Sequence, residues 1–169
     1  MLGLGKLGIM HFQRRGSSLV LPEGFVLVEA WTHSTNVAEK DFLNLGAYQE
    51  LLVHFHNILT TTVSRPAIRV SSNNGSSFLA ASGDYQEVGA NGSETAETLI
   101  DTETATVTTV RSAIVHFLNF NMTIPKFAVN DITTLNLKVI PSASAMNAIR
   151  CSPFTGLISG GSINVFGRQ

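Results

Sequence analysis

Two histidines, His54 and His56, have the spacing in this chain that most directly suggests chemistry. Two positions apart on a strand, their side chains project from the same face, so both imidazoles could reach one metal ion. His33 or His116 could supply a third ligand, but no carboxylate at a ligand spacing accompanies the pair. We therefore predict no metal site, and we interpret the two histidines as lining a partly hydrated sheet face or a subunit interface.

Half of the twelve acidic residues fall in one segment, from Asp84 to Glu103. Carboxylate oxygens are the ligands that Ca²⁺ prefers, but the segment lacks the alternating spacing of a dedicated calcium loop. We predict an exposed, solvated loop, with calcium binding left open as an alternative. Tyr85 lies in this segment, and an exposed aromatic ring can stack on the apolar face of a sugar. Tyr85 is therefore the candidate glycan-binding residue.

The sequence contains no recognisable catalytic constellation. Residues 3–8 fit the pattern G-x-G-x-x-G, but a dinucleotide site needs a strand before the first glycine and a helix after the third, and only two residues precede it. A nucleophile elbow, an H-E-x-x-H motif and a P-loop are all missing. Cys151 has apolar neighbours and is interpreted as a buried, unreactive thiol. We predict a protein that is not an enzyme, with no catalytic residues and no cofactor; paired carboxylates of the glycosidase kind stay the one catalytic alternative.

Composition excludes several partner classes. The chain has 169 residues, a formal charge of −1 and only 14% charged residues, against about 25% in an average globular protein. A near-neutral surface has no basic field for nucleic acid or for an anionic membrane. No apolar run is long enough to span a bilayer. The apolar start precedes Arg14 and Arg15 instead of following them, which is the reverse of a secretory signal.

Short segments of alternating apolar and polar residues predict about eight to ten strands and little helix. The clearest alternation runs over residues 114–124, and residues 25–31 and 51–58 are also rich in strand-forming side chains. In residues 51–58 the alternation places Leu51, Val53 and Phe55 on one face. At this length the pattern favours an antiparallel two-sheet β-sandwich of the jelly-roll type, as a single domain over residues 25–169.

Residues 1–24 differ from the rest of the chain. Apolar residues spaced by glycines are followed by two arginines and then by Pro22, which cannot continue a central strand. We interpret this segment as an extended N-terminal arm that docks to a partner. The candidate docking residues are Leu4, Ile9, Phe12, Arg14 and Arg15.

Three stretches follow more specific patterns. Residues 41–51 match D-F-x-x-L-x-x-Y-x-E-L, and residues 68–78 are similar to R-V-S-x-D-G-G-x-x-F, with Asn73-Asn74-Gly75 in place of Asp-Gly-Gly. Residues 148–167 are similar to A-I-R followed by G-G-x-I-x-V-Y-G, with Phe166 in place of tyrosine. Over residues 41–167 the chain thus resembles a group of small virion proteins of tailed bacteriophages and prophages.

The resemblance implies a jelly-roll module of a fibre, a spike or a capsid decoration, often a homotrimer, with no catalytic residue to carry over. It predicts a non-enzymatic virion structural protein of the fibre or spike kind, made in the bacterial cytoplasm. Its partners would be its own copies, the capsid, portal-neck or tail proteins, and host surface polysaccharide. Two alternatives stay open: a capsid decoration protein that stabilises the shell, and a free carbohydrate-binding module.

Overall fold

The computed structural model describes residues 21–88, 94–101, 111–130 and 137–169. Within these ranges the regular elements are twelve strands and no helix. The strands are β1 (Val26–Thr32), β2 (Lys40–Phe42), β3 (Glu50–Thr60), β4 (Pro66–Ser71), β5 (Tyr85–Val88), β6 (Glu94–Glu97), β7 (Ile100–Asp101), β8 (Arg111–Leu118), β9 (Lys126–Asn130), β10 (Leu137–Ile140), β11 (Ala148–Pro153) and β12 (Ile158–Arg168).

The strands form two antiparallel sheets. The larger sheet has eight strands in the order β1-β12-β3-β8-β9-β10-β5-β6, and the smaller has four in the order β2-β11-β4-β7. The prediction of an all-β fold with two antiparallel sheets is confirmed. The predicted arm lies almost wholly outside the described residues, which begin at Leu21.

One hydrophobic core joins the two sheets. It contains Leu51, Val53 and Phe55 of β3, together with Ile68 of β4 and Ile149 of β11. The predicted alternation along β3 is therefore correct, since these three residues face the smaller sheet and the intervening side chains face outward. We call the opposite side of the eight-stranded sheet, which faces away from the four-stranded sheet, the outer face.

Two elements differ from their prediction. The strand expected over residues 114–124 ends at Leu118, because Asn119 adopts a positive φ of 59° and begins a turn. Asparagine tolerates this left-handed conformation better than most residues, so it can end a strand within an alternating pattern. The acidic segment is also not a single exposed loop, because β5, β6 and β7 all lie within it.

Two lysines are buried on the inner side of the larger sheet. Lys126 has no exposed surface, and its Nζ donates hydrogen bonds to the carbonyls of Ile124 at 2.7 Å and Ser142 at 2.9 Å. Burial lowers the pKa of Lys126. Lys138 is 1% exposed and donates to Glu87 Oε2 at 2.7 Å. Each ammonium therefore has acceptors that offset part of its desolvation.

Two glycines allow close approaches along β12. Gly161 has a φ of +94°, and a Cβ at this position would lie 2.5 Å from the carbonyl oxygen of Asn57. A Cβ on Gly167 would lie 2.5 Å from Cγ of the Tyr48 ring, so the ring packs directly on the glycine backbone. Gly161 and Gly167, two of the three glycines of the terminal pattern, therefore have packing roles.

Candidate functional site

Tyr85, the residue singled out for sugar stacking, is part of the core. Its side chain has no exposed surface, so no face of the ring can contact a sugar. The hydroxyl accepts a hydrogen bond from the backbone N–H of Val70 at 2.9 Å and donates one to the carbonyl of Leu79 at 3.1 Å. Burial raises the pKa of Tyr85 above its ordinary value. The expectation that Tyr85 is exposed is wrong, because β5 pairs with β10 and turns the ring inward.

The acidic segment does not form a cation site within the described residues. Glu87 pairs with Lys138, and Asp84 Oδ2 accepts a hydrogen bond from the backbone N–H of Ala81 at 2.7 Å. In the part of the chain that the structure describes, no three His, Cys, Asp or Glu residues come close enough to hold a metal ion. Glu103 lies outside the described residues, so a calcium site that includes it stays a prediction.

The predicted histidine pair lies on the outer face of β3. The ring centroids of His54 and His56 are 5.5 Å apart. The other two candidate ligands have separate partners: His33 Nε2 lies 3.2 Å from Asn36 Oδ1, and His116 Nε2 lies 2.8 Å from Glu50 Oε2. The structure therefore brings His54 and His56 together, but neither His33 nor His116 joins them as a third ligand. This arrangement supports the interpretation that the pair lines the outer face of the sheet.

The outer face carries an apolar cluster that sequence patterns did not reveal. Phe25, Leu52, Ile114 and Phe166 are buried together, and Leu21 packs against them. Leu52 is only 1% exposed although it points away from the core between the sheets. An outward residue of a sheet with one solvated face is normally polar, so the cluster marks a covered surface. The sequence did contain one signal of this cluster: Leu52 is apolar although it lies on the outward side of β3, between the inward-facing Leu51 and Val53.

The segment that precedes β1 supplies part of this cover. Phe25 stands directly before β1, at the edge of the sheet, yet its ring lies 5.7 Å from the His116 ring on β8. The Arg168 guanidinium on β12 also lies over the Phe25 ring, with Cζ 5.1 Å from the centroid. The backbone N–H of Phe25 donates to the carbonyl of Pro22 at 3.4 Å, which closes a turn. Residues 21–25 therefore turn over the outer face, and the Phe25 ring extends from the edge at β1 toward β8.

A charged cluster lies beside Phe25. Glu50 on β3 accepts hydrogen bonds from Arg168 and from His116, so one carboxylate links three neighbouring strands. Burial raises the pKa of Glu50, but the bonds from Arg168 and His116 outweigh it, and the net pKa is lowered. Burial lowers the pKa of His116 more than its contact with Glu50 raises it. We therefore expect a neutral His116 beside an ionised Glu50 near pH 7.

The three patterned stretches, residues 41–51, 68–78 and 148–167, meet in the fold. Arg150 on β11 forms a two-pronged ion pair with Asp41 on β2, at 2.7 and 2.8 Å. The same guanidinium lies over the ring of Phe78, with Cζ 4.2 Å from the centroid. Glu39 adds a second carboxylate at 3.0 Å. The hydrogen bond to Asp41 raises the pKa of Arg150 further, so the group stays charged.

Asparagines link the same stretches by their side chains. Asn74 Oδ1 accepts from the backbone N–H of Asn44, and Asn74 Nδ2 donates to Asn44 Oδ1 at 2.9 Å. The backbone N–H of Asn74 donates to Asn147 Oδ1 at 2.7 Å. Asn74 and Gly75 have φ values of 54° and 86°, as the predicted turn requires. These contacts fix the turn at Asn74 and Gly75 against the segments around Asn44 and Asn147.

A second apolar surface lies at the end of the molecule that holds the connection from β3 to β4 and the connection from β11 to β12. Phe154 is 54% exposed, and Val63 and Leu157 are also exposed. The two connections are joined by hydrogen bonds from Thr61 N to Leu157 O and from Phe154 N to Arg65 O, both 2.9 Å. The loop tip, as we call residues 61–65 and 154–157, is thus a braced surface with apolar side chains pointing outward.

Within the described ranges, no helix is both long and apolar enough to cross a membrane. The candidate docking residues Leu4, Ile9, Phe12, Arg14 and Arg15 lie outside the described residues.

No protein-family model, no curated protein and no solved structure matches this chain.

Proposed function

We propose that this chain is a non-enzymatic structural protein of a bacteriophage virion, of the fibre or spike kind, built on a jelly-roll sandwich. The strand order carries the proposal. Without the two hairpins β5–β6 and β9–β10, the sheets contain β1-β12-β3-β8 and β2-β11-β4-β7. Numbered one to eight along the chain, the remaining strands have the orders 1-8-3-6 and 2-7-4-5, which are typical of a jelly roll. Viral capsid and lectin domains use this architecture.

The convergence of the three similar stretches supports the resemblance to phage proteins. Unrelated local matches would have no reason to meet, but Asp41, Phe78 and Arg150 are in direct contact. A second contact joins Tyr48 and Gly167, from the first and last of the stretches. These contacts stabilise the fold, so the similar stretches support the proposed architecture and not a particular site.

The apolar loop tip supports a role in an assembly. Phe154, Val63 and Leu157 are exposed there on braced connections, and exposed apolar side chains grouped in this way are typical of contacts with partner proteins. The tip has few charges, so it fits a neutral protein neighbour better than an acidic or basic one. The proposal has two further parts. The protein is a homotrimer, and it attaches to the particle through its N-terminal arm, with the docking residues Leu4, Ile9, Phe12, Arg14 and Arg15.

Labelling of phage particles tests the function directly. An epitope tag at the C-terminus, next to the exposed Gln169, should be detected by immunogold electron microscopy at the tail or at the vertices of particles made in the bacterial host. Label over the whole shell would favour the capsid decoration alternative instead. Particles without label, together with free tagged protein that binds a glycan array, would contradict the virion role and favour the carbohydrate-binding module.

Truncation tests the arm separately. A chain without residues 1–15 should fold, because it keeps every described strand, but it should no longer be incorporated into particles. Normal incorporation of this truncated chain would refute the docking role of the arm while leaving the virion role intact. A matched control with Ser82→Ala, at an exposed position outside the arm and the loop tip, should be incorporated normally.

A further inference from the structure

We propose that the outer face of the eight-stranded sheet over β8, β9 and β10 is a docking surface for the chain's own residues 16–20. This inference concerns the folded domain itself and does not depend on the virion role. The Phe25 ring reaches over the outer face to His116 on β8, and Leu21, the first described residue, packs on the outer-face cluster. The described chain therefore begins on this face, and Phe25 extends from the edge at β1 toward β8.

The apolar surface continues beyond the cluster in that direction. The register aligns His116 of β8 with Val129 of β9, then with Leu137 of β10 and Val88 of β5. Paired residues of antiparallel strands project on the same side, so these side chains form one row on the outer face. Val129, Leu137 and Val88 are only half-buried. Their inward neighbours Ala128 and Lys138 are buried, so this row is the side of the sheet that lacks a described cover.

Residues 16–20 match this row of side chains in composition and in length. Leu19 and Val20 directly precede Leu21, and Gly16, Ser17 and Ser18 precede them without any charge. Neighbouring strands are about 4.8 Å apart, so the distance from β8 to β5 is about 14 Å. An extended chain covers this distance in about five residues. Residues 16–20 are therefore sufficient, and the proposed docking residues, from Leu4 to Arg15, stay available for a partner.

A spin label tests the proposal in the full-length chain. Ser17→Cys provides the attachment site, because Cys151 is buried and burial raises its pKa, which leaves it unreactive. The label should give a slow-motion electron paramagnetic resonance spectrum in the otherwise unchanged protein. Val129→Asp should convert it to a fast-motion spectrum, because a carboxylate in the row cannot be covered by apolar residues. Val63→Asp at the loop tip is the matched control and should leave the label slow.

The outcomes separate the occupants of the surface. Resistance of Cys151 to a thiol reagent verifies that each variant is folded, and Leu137→Asp replaces Val129→Asp if the latter unfolds. A label that moves freely in the parent protein, or that stays slow in both aspartate variants, overturns the proposal. If excess unlabelled parent protein makes the label on the Val129→Asp chain slow again, the surface binds residues 16–20 of a second copy, and docking within one chain is wrong.

Discussion

Replacement of Tyr85 by phenylalanine is the sharpest test of the core geometry. The variant keeps the ring in place but removes the hydroxyl that binds Val70 N–H and the Leu79 carbonyl. Each intramolecular hydrogen bond contributes about 1 kcal/mol, and a buried donor without an acceptor costs about 1–3 kcal/mol. Tyr85→Phe should therefore lower the free energy of unfolding by about 2 kcal/mol. In a domain of this size that is a decrease of about 4–8 °C in Tm.

The pH dependence of stability gives the same prediction a second readout. Because burial raises the pKa of Tyr85 in the folded state, folding keeps its proton bound when the unfolded chain would lose it. The resulting stability is fully present below the unfolded pKa of about 10 and is lost as pH rises above it. The parent protein should therefore lose stability between pH 10 and 11, and Tyr85→Phe should lose less over the same interval.

Urea unfolding followed by circular dichroism at pH 7, 10 and 11 measures both effects. Tyr48→Phe is the matched control, because Tyr48 is half-buried and the structure gives its hydroxyl no hydrogen bond to a described residue. That variant should change the free energy of unfolding by less than about 0.5 kcal/mol. Equal, small effects of the two substitutions would refute the placement of the Tyr85 hydroxyl against Val70 of β4.

Three further substitutions test other parts of the structure. His116→Gln should reduce the loss of stability between pH 7 and 5. Because the pKa of His116 is lowered in the folded state, its stabilising contribution is present above about pH 6.5 and is lost as pH falls. An unchanged pH profile in urea unfolding would contradict this. Gly167→Ala should destabilise the domain by about 1–3 kcal/mol, since its Cβ would overlap the Tyr48 ring; the measurement is thermal unfolding, and the double variant with Tyr48→Ala should recover part of the loss. Arg150→Lys should cost about 1 kcal/mol by loss of the two-pronged ion pair, with weaker salt dependence than the parent; a Tm equal to that of the parent would show that the pair contributes nothing.

The class of fold could be predicted from the sequence because strands leave a local pattern. Leu51, Val53 and Phe55 recur at every second position, and the Asn74-Gly75 pair predicts a turn without any knowledge of the partner strands. The order of strands within the sheets has no such signal. The pairing of β5 with β10 joins residues about fifty positions apart, so it was not available from any short window.

The candidate surfaces were harder to predict for the same reason. Tyr85 stands beside Asp84 in an acidic segment, which suggested exposure, but its ring is buried because distant residues surround it. The alternation along β3 puts Leu52 on the side opposite to Leu51, yet nothing local indicates that this outward side is covered by Phe25 from the edge of the sheet at β1. Residue type predicts which face a side chain takes, but only the assembled sheet shows what lies above that face.

The place of β12 in the larger sheet has a consequence for synthesis on the ribosome. This last strand lies between β1 and β3, and it pairs Val26 with Gly167 and Leu52 with Phe166. Until β12 has left the exit tunnel, β1 has no partner in the sheet and β3 lacks one of its two neighbours. Such long-range pairing folds slowly and leaves strand edges open meanwhile. The larger sheet can therefore be completed only after β12 has emerged, however early the other strands are synthesised.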